Sequence, residues 1–161
     1  MFIGQAWHKD GDIPIDIQQS IIKMQQYCDD MNIEYRFRRF AGGLTVKDCV
    51  VASDTFRNYW AIEDPQLLWA DCDVEFNDKI PNFIGTKPYF AEVDNGGWCN
   101  GIFYANGNSH FFDQLQRLGE RRKITNRYFW TSAIMNIRGP IVEPFPKIYS
   151  HPFLTTRKKE K

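Results

Sequence analysis

Two aspartates separated by one residue, Asp71-Cys72-Asp73, stand directly after the apolar run Leu67-Leu68-Trp69-Ala70. Carboxylates this close repel one another unless a cation or a proton comes between them. Side chains at i and i+2 of an extended chain point to the same side, so the spacing predicts that both face one divalent ion. Hard oxygen ligands suit Mg²⁺ or Mn²⁺, which keep positions open for phosphate oxygens. Such an ion neutralises charge on a departing diphosphate. In open α/β sheets, ligands bind beyond the carboxyl ends of the strands, which is where a strand ending at Ala70 leaves the pair. A bare Asp-x-Asp match is a weak signal, and a polar turn closing the strand accounts for it equally well. The second such pair, Asp10-Gly11-Asp12, lies in a Gly-containing polar loop and is explained by turn chemistry.

Upstream, Ala52-Ser53-Asp54-Thr55-Phe56-Arg57 places Asp54 and Arg57 at i and i+3, on one face of a helix. The plain reading is an intrahelical ion pair worth about 0.2–0.5 kcal/mol. Near the carboxyl end, Tyr149-Ser150-His151-Pro152 holds a lone histidine in Pro-rich sequence, where a structural role is the commoner one.

The elements that must position these groups are legible in outline. Phe2 to Trp7 reads as a short buried strand, followed by a polar loop from His8 to Asp12. From Asp16 to Met31, Ile17, Ile21, Met24, Cys28 and Met31 fall at helical spacing. Ile33 to Arg38 alternates as a strand whose arginines face solvent. A helix from Val46 to Ile62 stops before Pro65, and Leu67 to Ala70 is a central strand. Tyr89 to Val93 and Cys99 to Ala105 form a hairpin about Asp94-Asn95-Gly96-Gly97. Ser109 caps a helix reaching Gly119. Tyr128 to Met135 fits either helix or strand, and Gly139-Pro140 turns the chain into a Pro-rich end. Strands alternate with helices in the first half, which predicts a single α/β domain.

Composition agrees with one domain and bounds the partners. At 161 residues the chain can bury a full core, and 43% apolar with 25% charged residues is ordinary for a globular protein. A net charge of zero argues against a general nucleic-acid binder. The basic clusters Arg121-Arg122-Lys123 and Arg157-Lys158-Lys159-Glu160-Lys161 read as a solvated face and a frayed tail. Cys28, Cys49, Cys72 and Cys99 show no C-x-x-C pairing, which argues against a zinc knuckle or a thioredoxin-type site. The start shows no signal-peptide pattern, and no apolar run approaches the roughly 20 residues needed to cross a bilayer. The expectation is a soluble, cytoplasmic protein without disulfides.

Taken in order, these pieces resemble the glycosyltransferases with a DXD sugar-binding region, a group that includes yeast-type initiating mannosyltransferases and the catalytic domains of large clostridial glucosylating toxins. The likeness rests on Ala52-Ser53-Asp54-Thr55-Phe56-Arg57, on Leu67 through Asp71-Cys72-Asp73-Val74, and on Gly4-Gln5-Ala6-Trp7 in place of the family's opening strand. Asn100-Gly101-Ile102-Phe103 followed by Ser109, and the turn Arg138-Gly139-Pro140, extend it over most of the chain. The resemblance implies a GT-A fold, a Rossmann-like mixed sheet, over residues 1–155, with a basic tail at 156–161. It also implies metal-dependent transfer from a nucleoside-diphosphate sugar with retention of configuration, using Mn²⁺ or Mg²⁺. By it, Trp7 stacks on the base and Ala6 supplies backbone contacts. Asp54 and Arg57 hold sugar hydroxyls and diphosphate, Asp71 lies near ribose and metal, and Asp73 ligates the metal. His151 is the candidate third ligand.

Two departures qualify the match. Glu63-Asp64-Pro65, one residue longer, replaces the family's Gly-Gly before the central strand. The chain is also short for the family, which leaves the acceptor open among glycan, lipid-linked glycan, protein and nucleic-acid base. Two other readings compete: a non-catalytic descendant binding a sugar nucleotide or glycan, and a haloacid-dehalogenase-type phosphatase with Asp71 as nucleophile. Glu75 stands where the phosphatases want Thr or Val.

Overall fold

The computed structural model describes residues 1–8, 10–43, 45–93, 97–123 and 141–152, without the side chains of residues 122 and 123. Three features read from the sequence fall outside them: the tip of the expected turn at 94–96, the ambiguous segment with Gly139-Pro140, and the basic tail.

Strand β1 (Phe2–His8), helix α1 (Ile15–Met31), β2 (Glu34–Phe40), α2 (Val46–Glu63) and β3 (Leu67–Ala70) follow the alternation expected from the sequence. Ile21, Met24 and Cys28 bury one stripe of α1, and Asn32 ends the helix at φ 56°, in the left-handed region. Helix α2 starts with a capping box: Thr45 Oγ1 accepts the Asp48 N–H, and the Asp48 carboxylate accepts the Thr45 N–H. At its other end the Asp64 N–H still reaches Trp60 O, and Pro65 prevents a further turn.

The remaining elements are β4 (Glu75–Phe76), β5 (Tyr89–Glu92), β6 (Trp98–Tyr104), α3 (Ser109–Lys123), β7 (Glu143–Pro144) and β8 (Tyr149–Ser150). Asn108, not Ser109, caps α3: its Oδ1 accepts the Phe111 N–H at 3.1 Å. The helix also runs past Gly119 to Lys123. A single interior glycine costs about 1 kcal/mol, which the burial of Phe111, Phe112 and Leu115 outweighs.

Six strands form a mixed sheet in the order β2-β1-β3-β6-β5-β7, and β4 pairs with β8 in a separate ribbon. β1 is parallel to both β2 and β3, whereas β6 is antiparallel to β3 and β5. The fold is therefore α/β with a mixed central sheet, and β3 lies in its middle as expected. Alternation along the strands divides the core. Phe2, Leu67, Trp69 and Phe103 pack with Trp60 of α2 and with Phe112 and Leu115 of α3. Ile3, Leu68, Ala70 and Ile102 pack on the other face with Met24 and Cys28 of α1 and with Phe145.

The arginines of β2 do not simply face solvent. Arg36 lies over the Phe2 ring at 3.9 Å and Arg38 over Trp60 at 4.3 Å, so their stems and guanidiniums cover the core. All four cysteines are free thiols. Among the described residues, no helix is long and apolar enough to cross a membrane.

Candidate functional site

The β1–β3 ladder ends at the pair Gly4–Trp69, although β1 continues against β2 as far as His8–Phe40. Past that point β3 turns away. Asp71 to Val74 form a tight turn in which Asp71 O accepts the Val74 N–H at 3.0 Å, so the extended geometry expected for Asp71 and Asp73 is not what brings them together. The turn does it, with two tethers to β1: Gln5 Nε2 donates to Asp71 O at 3.0 Å, and Cys72 Sγ lies 3.2 Å from Ala6 O. The other Asp-x-Asp pair behaves as its composition suggests. Asp10 and Asp12 are exposed around Gly11, which adopts φ +102°.

His151 reaches the same place from the far end of the chain. β4 begins two residues after Asp73, and β8 ends one residue before His151. Their antiparallel pairing, Glu75 with Ser150 and Phe76 with Tyr149, sets the imidazole against the carboxylates. Nε2 lies 3.6 Å from Asp71 Oδ2 and 3.4 Å from Asp73 Oδ1. One ligand atom from each of the three residues falls within 4.8 Å of the others. Asp73 Oδ1 is buried and has no hydrogen-bond donor.

The electrostatics are uneven across the pair. Burial works to raise the Asp71 carboxyl, but Arg57, His151 and the Trp69 indole outweigh it and hold Asp71 below the ordinary carboxylate value. Burial pushes Asp73 up; the His151 charge opposes this and the Asp71 charge adds to it, leaving Asp73 above its ordinary value. For His151, burial favours the neutral ring, yet Asp71 and Asp73 prevail and raise it above 6.5. A cation seated among these groups can replace the proton on the imidazole and relieve both carboxylates at once. Cys72, between them, is pushed to about 12 by burial and by its two acidic neighbours, and so stays a thiol.

Arg57 and Asp54 both turn towards β6. The register between β5 and β6 jumps from Phe90–Phe103 to Ala91–Cys99, which leaves residues 100–102 as a bulge on β6. Bulges of this kind re-aim groups beside functional sites. Here the bulge hangs over the carboxylates. Gly101 O accepts the Asp71 N–H at 2.8 Å, Asn100 O accepts from Arg57 Nη1 at 2.8 Å, and Asn100 Nδ2 donates to Asp54. Arg57 also donates to Ser53 through Nε and Nη2, lies over Trp69, and approaches Asp71 Oδ1 at 3.3 Å. A Cβ on Gly101 would sit 2.8 Å from Asp71 Oδ2, so any side chain there would displace the Asp71 carboxylate.

A cavity of ≈ 580 Å³ opens where β1 and β3 part, within the usual range of ligand sites. Ala6 and Trp7 line it from β1, Phe40 from β2, and Arg57, Asp71 and Asp73 supply its polar groups. Five of the residues singled out from the sequence thus share one wall system, and His151 joins two of them from outside the lining. Asp54 does not line this cavity; it is buried and accepts from Asn100. Sequence reasoning missed Gln5, Trp69 and Gly101 as parts of the site. Only Asn100-Gly101 carried a usable signal, since a glycine inside a strand pattern marks a bulge or a close approach.

No known family profile matches this chain, and no curated protein matches it. Its architecture does match solved structures. One is the crystal structure of a glycosyltransferase involved in the glycosylation of the major capsid of PBCV-1, which is 14% identical. The TM-score is 0.56, and the match covers 81% of this chain and 72% of that one. At such low identity the likeness speaks for the fold: this α/β chain with a mixed six-stranded sheet shares its fold with a glycosyltransferase.

Proposed function

We propose that this chain is a GT-A-type glycosyltransferase that moves a sugar from a nucleoside-diphosphate donor, with Mn²⁺ or Mg²⁺ held by Asp71, Asp73 and His151. The observation that carries the reading is Asp73 Oδ1, an oxygen buried without a donor yet grouped with a second carboxylate and an imidazole. Leaving a buried acceptor unpaired costs about 1–3 kcal/mol, and a divalent ion supplies the missing partner. When bound, the cation neutralises charge developing on the leaving diphosphate.

The chain's own residues then do the positioning. Trp7, on the cavity wall, supports stacking of a nucleobase, and Ala6 beside it offers backbone to the same ligand. Arg57 keeps a fixed cation at the wall beside Asp71, suited to the diphosphate. Asp54, buried outside the cavity lining, accepts from Asn100 and so acts on the site through the β6 bulge rather than by direct contact with the sugar. Orientation and fixed charge supply most of the catalysis in such a site, and the family resemblance supports retention. Glu63-Asp64-Pro65 lies at the amino end of β3, away from the carboxylates, so the departure from the family pattern leaves these groups in place.

The test is a thermal-shift panel of nucleotides and sugar nucleotides, each with Mn²⁺ and with chelator. A ligand at about 100 times its Kd stabilises by about 2.7 kcal/mol, which is several degrees for a domain this size. The expected result is a metal-dependent shift with one nucleotide class, followed by donor turnover. Tight nucleotide binding in chelator would overturn the metal reading. Metal-dependent binding without turnover of any donor would favour the non-catalytic descendant.

A further inference from the structure

We propose that Gln5 is the positioning residue of the Asp71–Asp73 turn, acting as an amide bridge where the β1–β3 ladder stops. This rests on the functional reading above and adds a residue that touches neither donor nor metal. Gln5 is fully buried in the middle of β1, between Phe2 to Gly4 and Ala6-Trp7, and it is absent from the cavity lining. A buried amide must find partners for both of its ends. Its Nε2 donates to Asp71 O at 3.0 Å, and its Oε1 accepts from Tyr35 OH at 2.9 Å. The Asp71 carbonyl, which can only accept, dictates that the amide nitrogen meets it, and the Tyr35 hydroxyl satisfies the oxygen left over.

The location explains the need. Ladder bonds would hold β3 in register with β1 beyond Gly4–Trp69, but they would also close the space where the cavity opens. Gln5 spans that gap with a side chain instead of backbone. It leaves the strands apart and still holds the carbonyl from which the Asp71–Val74 turn starts. Asp71 O then carries two donors, Gln5 Nε2 and the Val74 N–H, so one atom anchors both the backbone beneath the first carboxylate and the turn leading to the second.

The experiment compares full-length wild type, Gln5→Met, Tyr35→Phe and Met24→Ala. Gln5→Met keeps an unbranched side chain of similar size without the amide. Met24→Ala opens the same core face away from the site and controls for general loosening. Two readouts are taken: Mn²⁺ affinity by electron paramagnetic resonance, and the Trp69 indole N–H cross-peak in metal-free protein, since that N–H donates to Asp71 Oδ1. Gln5→Met is expected to weaken Mn²⁺ binding about 10-fold or more, the usual effect of removing an outer-shell partner, and to move the indole peak. Tyr35→Phe should do the same more weakly, and Met24→Ala should do neither. An unmoved indole peak in folded Gln5→Met, or equal losses in Met24→Ala, would overturn the proposal. Failure of the wild type to bind Mn²⁺ would sink the metal reading alone, and the metal-free peak would still decide the role of Gln5.

Discussion

At the amino end of β3, Asp64 lies 3.8 Å from Arg36 and 3.2 Å from Arg38, and Glu34 and Glu63 complete the set of charges. Both arginines also cover core rings. At the carboxyl end of the same short strand, Asp71 and Asp73 crowd together, one pulled below its ordinary pKa and the other pushed above it, with a buried oxygen left over. Four residues of β-strand separate a region where each acid meets a guanidinium from one where Asp71 alone meets an arginine and both acids share one imidazole. Paired surface charge of the first kind closes off an end of the sheet. The second arrangement holds its acids together at a cost, and that cost is the physical argument for a ligand.

The contrast can be broken most severely at Asp73. Asp73→Ala should abolish metal-dependent nucleotide stabilisation, with metal affinity falling by at least about 100-fold, the top of the range for losing an outer-shell partner. The metal-free protein should melt close to wild type, because losing the 3.4 Å contact with His151 is offset by removing a carboxylate that burial holds above its ordinary pKa. Scanning fluorimetry with and without Mn²⁺ measures both. A metal-free Tm several degrees lower would mean that Asp73 is structural.

Two glycines sharpen the comparison. A Cβ on Gly101 meets Asp71 Oδ2 at 2.8 Å, whereas one on Gly4 meets Leu67 Cδ1 at 2.5 Å and Trp60 Cη2 at 2.9 Å. Both alanine variants should lose about 1–3 kcal/mol of stability through overpacking, read from urea unfolding. Only Gly101→Ala should also weaken Mn²⁺ binding. Equal metal affinities in the two variants would detach Asp71 from the site.

pH separates the ends in a different way. His151 is raised above 6.5 in the folded protein, so its contribution is complete below 6.5 and is lost as pH rises through the folded value. Asp71 is lowered below 3.8, so its contribution is present above 3.8 and is lost as pH falls below it. The metal-free Tm should therefore decline above pH 6.5. Mn²⁺ should reverse that decline, because it binds the imidazole that has given up its proton. Melting curves across pH test this, and His151→Gln should flatten the metal-free profile above 6.5. A wild-type profile already flat there would remove the coupling between His151 and the carboxylates.

The smallest effect is expected at the matched end. Asp64→Asn should cost no more than about 1 kcal/mol, as half-exposed ion pairs do, with Mn²⁺ affinity unchanged in the same resonance titration. A loss of metal binding there would mean that the two ends are coupled through β3.

Much of the scaffold was readable because it depends on neighbours in sequence. The stripe of Ile21, Met24 and Cys28 lies on one turn-by-turn face of α1, and Pro65 blocks α2 whatever packs around it. Leu67 to Ala70 is apolar throughout because both faces of β3 are covered. The readings that needed change involve groups brought together from afar. Ser109 has a capping side chain, but Asn108 holds the geometry. Arg36 and Arg38 alternate as solvent-facing residues should, yet Phe2 and Trp60 lie beneath them only once β1 and α2 are in place.

The site divides along the same line. By itself the sequence determined that two carboxylates follow a buried strand and that an Asp and an Arg share a helix face, since both follow from spacing and local geometry. It also established the alternation from β1 to β3 and the later β5, β6 and α3, which yields an α/β sheet, but not the two-residue strands β4, β7 and β8. Only the tertiary structure decided that Asp71 and Asp73 converge through a turn, and that the 100–102 bulge reaches over to hold that turn and Arg57. It decided as well that the β4–β8 pairing delivers His151 to them. Those contacts join residues distant along the chain, and their register comes from the packing of whole elements, which no local pattern of residues encodes.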